Sequence, residues 1–234
     1  MIKVSDIAKK KIIELMSDDG YDASKDYVRV GVKSGGCSGL SYDLNFDKER
    51  CDDLANEITS DNIFISELAD PENNTGARFV ELFNSSSDNI PLNGWKLLRY
   101  TNDNVEIGST VDLSEFEILP GSTLVIAANA EEFTMVYGFM PDMEAGQNSP
   151  ADSNGDDNFQ LVDPFGKVID AFGIVGEDGS GTNHEFEDGR AVRKLQVTKG
   201  NSSFDSSEWT IFNDSGEAGT IDQPQIAPDD FNPG

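Results

Sequence analysis

The sequence predicts a mainly β protein: an antiparallel sandwich or barrel over residues 61–214, preceded by a small α+β helix–hairpin segment over 1–49. Three observations carry this. Eight short apolar runs follow residue 62, punctuated by clusters of Gly, Asn, Asp, Ser and Pro, the pattern of strands and turns. No long stretch among them keeps a helical apolar period. Charge also breaks sharply near residue 49. Of 17 basic and 44 acidic residues, the first 49 positions hold eight and nine, a net of −1, which leaves nine and 35, a net of −26, for the rest. No internal repeat explains the change, so the chain divides into two segments of different composition joined by a linker over 50–60.

In the first segment Ser5 is a good helix N-cap, and Ala8, Ile12, Leu15 and Met16 fall on one helical face. Gly20 stands where a left-handed residue closes the helix. Tyr27–Lys33 and Leu40–Phe46 alternate as strands do, around the loop Ser34-Gly35-Gly36-Cys37-Ser38-Gly39. Its glycines let backbone approach whatever Cys37 touches. One helix and one hairpin bury little apolar surface, so this piece needs to pack on something, dimerise or stay loosely ordered.

The run Val30–Tyr42 (VGVKSGGCSGLSY), preceded by an amphipathic helix, resembles the opening half of the A-type, HesB-like iron–sulfur cluster carriers. The resemblance implies a cluster ligand at Cys37. The family's Cys-Gly-Cys ligand pair has no counterpart here, because the likeness stops near Glu49 and Cys51 is the last cysteine. Clusters are held by about four thiolates, so one chain falls short, and Asp52 and Asp53 would raise the thiol pKa of Cys51. No cofactor is expected on this count. A homodimer pooling Cys37 and Cys51 is the arrangement that would supply an iron–sulfur cluster.

The second segment reads as strands at Ile63–Leu68, Phe79–Phe83, Trp95–Tyr100, Thr123–Ala128, Phe159–Val162, Val168–Phe172, Ala191–Val197 and Trp209–Phe212. Asp163-Pro164-Phe165-Gly166 suits a type I turn, which pairs the fifth run with the sixth as a hairpin. One short helix is expected over Ala130–Tyr137, capped by Asn129. Residues 215–234, with Pro224, Pro228 and Pro233 among acids and glycines, read as an extended acidic tail.

In order, ISEL (Ile65–Leu68), FVELFN (Phe79–Asn84), PLNGWKL (Pro91–Leu97), ILPGSTLVIA (Ile118–Ala127), NGDDNFQLVD (Asn154–Asp163), GKVIDAFG (Gly166–Gly173) and RAVRK (Arg190–Lys194) resemble the lamin-tail domain. That resemblance implies an immunoglobulin-like β-sandwich with the Trp95 ring in its core and Leu119-Pro120-Gly121 turning into a central strand. It also implies binding to a protein partner rather than a reaction, often on secreted or cell-surface proteins. As encoded, without a secretory signal, the chain is expected in the cytoplasm.

Function classes narrow accordingly. An acidic surface repels phosphate, so nucleic acid is not an expected partner. No run approaches the apolar length of a membrane span, and two cysteines make no disulfide scaffold. The single histidine, His184, lies in a Gly/Asn/Glu loop and reads as solvated, with no activated nucleophile assigned to it. The best metal candidate is calcium, at Asp152, Asn154 and Asp156, where oxygens alternate with Asp163 at the twelfth place as in an EF-hand, and Asp70 or Glu72 could join. Asp157 occupies the place an EF-hand reserves for glycine, so a solvated acidic loop is the favoured alternative. The expectation is a non-catalytic accessory module fused to an incomplete carrier segment, with an iron–sulfur carrier as the alternative.

Overall fold

A computed structural model describes residues 5–34, 40–48 and 60–234. The chain divides into two compact units, Met1–Ile58 and Thr59–Gly234.

In the first unit, α1 (Asp6–Asp18) starts where the Ser5 hydroxyl accepts the Ala8 N–H. β1 (Tyr27–Ser34) and β2 (Leu40–Asp47) pair antiparallel in continuous register from Tyr27↔Asp47 to Ser34↔Leu40. Tyr21 packs on Phe46 at 5.6 Å between ring centres. Of the expected apolar helix face only Met16 is buried; Ala8 and Leu15 are exposed and Ile12 is partly so. Cys37 and Cys51 lie outside the described residues.

The second unit is the β-sandwich. Its strands are β3 (Ile63–Ala69), β4 (Phe79–Asn84), β5 (Ile90–Pro91), β6 (Lys96–Tyr100), β7 (Ser109–Asp112), β8 (Glu117–Ile118) and β9 (Thr123–Ala127). After α2 (Ala130–Tyr137) come β10 (Met143–Glu144), β11 (Asn158–Val162), β12 (Val168–Phe172), β13 (Arg190–Arg193), β14 (Trp209–Asn213) and β15 (Ile221–Asp222). One sheet has the order β10-β9-β4-β3-β13-β14-β15 and the other β12-β11-β6-β7, with β5 and β8 forming a separate pair. Ile65, Leu82, Ile126 and Ala191 from the larger sheet meet Leu97, Val111, Leu161 and Phe172 from the smaller in one buried cluster, which also holds Trp95. Burying each large side chain there contributes roughly 1.5–3 kcal/mol. This is the immunoglobulin-like arrangement the sequence predicts.

Local chemistry sets the elements. β11 and β12 pair across the expected turn, where the Asp163 carboxylate accepts the N–H groups of Phe165 and Lys167, both at 2.9 Å. The Asn129 side chain accepts the Glu132 N–H to cap α2, and Gly138 ends it at φ +82°. The run expected over Ala191–Val197 stops as a strand at Arg193, and Leu195 is fully exposed. Among the described residues no helix is long and apolar enough to cross a membrane.

Residues 215–234 depart from the extended tail expected of them. β15 pairs parallel with β14, Asn73 exchanges two hydrogen bonds with the Ala227 backbone, and Phe231 is buried against Phe79. The prolines here accompany a strap laid on the sandwich, because the outer side of Phe79, Val125 and Phe133 needs apolar cover and Ala227 and Phe231 supply it.

Candidate functional site

The outer face of the seven-stranded sheet is divided into two halves by register. One row of neighbours runs Ala69–Phe79–Ala127 and lies beneath α2 and the C-terminal strap. The next runs Val192–Glu67–Glu81–Val125, and beyond it Phe64–Phe83–Thr123. Among the described residues of the second unit this last part has no such cover, and it lines a groove of about 310 Å³.

A β-bulge places the carboxylates there. Register shifts between Ile65 and Glu67, so Ser66 is the extra residue. Ile63, Ile65 and Leu68 can then all enter the core, although simple alternation would put Glu67 on the same side as Ile63 and Ile65. Ser66 donates its hydroxyl to the Glu81 carboxylate at 2.7 Å, and the Gly234 N–H donates to the other oxygen at 2.8 Å. Glu67 is 6% exposed and, among the described residues, receives one long bond, 3.5 Å from the Arg190 guanidinium. Burial pushes its carboxyl up to about 8, with neighbouring Glu81 adding to the rise and Arg190 opposing it. Burial raises Glu81 as well.

A second polar cluster is internal. Asp170 is fully buried, pairs with Arg193, and accepts the N–H groups of Ile65 and Asn201 at 2.9 and 2.8 Å. Arg193 also reaches Glu208 at 3.1 Å and stacks over the Trp209 ring at 4.3 Å. Burial lifts the Asp170 carboxyl to about 6 against the pull of that guanidinium.

The residues considered for calcium separate into two networks. Asp152 shares Arg78 with Asp70, at 3.2 and 2.7 Å, so a guanidinium already stands between these carboxylates. Asp156 instead accepts from the Asn102 side chain at 2.8 Å, and Asn154 is exposed. Glu72 is exposed too. Among the described residues no three His, Cys, Asp or Glu side chains form a set that could hold a metal ion. Contrary to the expectation of a solvated loop, Asp156, Asp157 and Asn158 are buried, because Arg99 and the Asn102 backbone and side chain fold over them.

His184 also departs from expectation. It is buried against Phe172 and Phe204, with Nδ1 2.9 Å from the Thr182 hydroxyl. Burial holds its pKa below the usual value despite Glu177, Asp178 and Glu185 nearby. Gly173 makes room: at φ +76°, a Cβ there would lie 2.9 Å from the ring and 2.2 Å from the Asn158 amide oxygen. The described hydrogen bonds of His184 go to Thr182 alone, whose hydroxyl donates on to the Gly179 carbonyl at 2.7 Å.

Comparison with known proteins finds short likenesses and one long one. The chain is 43% identical over 47 residues to the uncharacterized protein slr1417 of Synechocystis, covering 20% of this chain and 37% of the relative. It is 33% identical over 75 residues to the uncharacterized protein SufA of Bacillus subtilis (30% and 55% covered) and 34% identical over 72 residues to the uncharacterized protein ycf83 of Pyropia yezoensis (30% and 59%). The chain thus spans between about a third and three fifths of these curated relatives. The family model of the Lamin Tail Domain matches residues 56–176, just over half the chain. With its two packed sheets and its ordered strand motifs, the chain belongs to the lamin tail domain family.

Proposed function

We propose that the protein is a non-catalytic interaction module, in which the lamin-tail sandwich presents a surface to another protein. One observation carries this reading: among the described residues of the second unit, the outer face of the seven-stranded sheet is covered by α2 and the C-terminal strap on one half and left as a groove on the other. Other buried charged groups support the same reading. Arg193 is held by Asp170 and Glu208, and Arg78 by Asp70 and Asp152. Such mutual bonding suits structural roles, since a general base needs a free lone pair within reach of the proton it removes.

The test is cross-linking of the full chain in extract from its own cells, followed by titration with each protein captured. The reading expects one saturable, stoichiometric protein partner with cross-links inside Thr59–Gly234. No saturable partner, or turnover in a hydrolase and transferase substrate panel, would overturn it.

A second reading has its own observation. The likeness to the Bacillus subtilis protein named SufA, together with the Cys37 loop, supports an iron–sulfur carrier in which two chains pool Cys37 and Cys51. Anaerobic incubation with iron and sulfide tests it. A visible cluster band lost in Cys37→Ser supports the carrier; a colourless protein dismisses it.

A further inference from the structure

Within the groove, Glu67 differs from every other charge around it. Arg193 is engaged by Asp170 and Glu208, and Lys194 donates to the Ser207 carbonyl at 2.7 Å. Glu81 is satisfied on both oxygens by Ser66 and Gly234. Among the described residues Glu67 takes a single 3.5 Å bond, where a buried carboxylate ordinarily gathers several short ones from charged or backbone donors. The same Arg190 guanidinium also stands over the Phe212 and Phe231 rings, at 5.4 and 5.5 Å.

The remaining walls are apolar. Phe64 and Phe83 meet edge to face at 5.8 Å, and Val192, Leu195 and Val197 line the other side. An apolar channel ending at an under-bonded carboxylate matches a long aliphatic stem carrying a cation. The chain's formal charge of −27 favours the approach of such a group. We propose that this groove receives a lysine or arginine side chain from an extended segment of a partner protein, with the stem along Phe64 and Phe83 and the cation at Glu67 beside Glu81. The proposal rests on the interaction-module reading and specifies the partner's chemistry.

Proton linkage sharpens it. Glu67, with its pKa near 8, carries a proton in much of the free protein at neutral pH, and an arriving cation expels that proton. The charged or titratable groups facing Glu67 are Arg190 on β13, Glu81 on β4 and Tyr137 on α2, and Arg193 and Lys194 line the groove. The Tyr137 hydroxyl is pushed above the working pH range by burial and by Glu67 itself. Cation affinity therefore rises as pH increases from 6 to 8.5.

The test uses the full chain with labelled Val, Leu, Ile and Thr methyl groups, titrated by Ac-Ala-Val-Lys-Val-Ala-NH2 and by its twin with norleucine for lysine. Shifts are expected at Val192, Leu195, Val197 and Thr123. The lysine peptide should bind at least tenfold more tightly than the norleucine peptide at pH 8.5, and several-fold more tightly at pH 8.5 than at pH 6. Glu67→Gln should abolish the lysine preference, and Thr123→Trp, which fills the groove with Glu67 intact, should abolish binding of both. Equal binding of the two peptides, shifts scattered over the acidic surface, or a preference that survives Glu67→Gln would overturn the proposal. If cross-linking still finds a saturable partner, only the proposal falls; if it finds none, the module reading falls with it.

Discussion

Asp170 and Glu67 are carboxylates of one sandwich, each almost sealed from water, and their surroundings meet the same desolvation in opposite ways. Asp170 receives Arg193 and two backbone N–H groups inside the core. Glu67 faces a like charge on the next strand and keeps one long contact with Arg190. A carboxylate fully supplied with donors is a structural tie, whereas one left short of donors on a groove is a charge that an outside group can still use. The following perturbations separate the two roles, from the largest effect to the smallest.

Arg193→Met should have the largest effect. It leaves the Asp170 carboxylate buried without its partner, which costs about 3–5 kcal/mol, read as a lower urea midpoint with unchanged slope. Stability within about 1 kcal/mol of the parent would mean that the backbone donors alone sustain Asp170. Gly173→Ala follows at about 3 kcal/mol, because the added Cβ meets the Asn158 oxygen at 2.2 Å in a backbone conformation that disfavours L side chains. A loss under about 1 kcal/mol there would show that the Asn158–His184 packing yields easily.

These two sites also mark the limit of what the sequence disclosed. The strands rich in Val, Ile, Leu and Phe, the Asp163–Gly166 turn and the Asn129-capped helix were legible, because apolar period and turn chemistry are local signals. β7 was not legible, since Ser109–Asp112 carries Val111 as its one large apolar residue and draws its stability from pairing with β6. The loop around Asp156 and the loop of His184 look hydrophilic in composition. What buries them is remote in sequence: Arg99 and Asn102 for the first, Phe172 and Phe204 for the second. Glu67 sat in plain view in the ISEL motif, yet its outward position depends on the bulge at Ser66, which no propensity announces.

The two halves of the outer face make a middle-sized comparison. Phe231→Ala removes a buried ring from the strap over Phe79 and Tyr137 and should lower stability by about 3 kcal/mol. Phe83→Ala, on a half-buried groove residue, should cost no more than about 1 kcal/mol. Equal losses in thermal unfolding would mean that the groove half contributes as much to folding as the covered half does.

Glu67→Gln is expected to change stability least and in the reverse direction. Folding lifts this carboxyl from 4.5 to about 8, so the folded state holds its proton more tightly than the unfolded chain. The resulting stabilisation is complete below pH 4.5, declines as pH rises, and is gone above about pH 8. Asp70 and Asp170, each lifted from 3.8 to about 6 by burial, add a decline between those values. The parent should therefore melt at a higher temperature at pH 5.5 than at pH 8.5. Gln at position 67 removes a charge that the fold supplies with one long bond, so at pH 8.5 the variant should be more stable than the parent by about 1 kcal/mol and should show a flatter pH profile. A variant less stable than the parent at pH 8.5 would place Glu67 with Asp170 among the ties that hold the sandwich together, and the distinction between the two carboxylates would be lost.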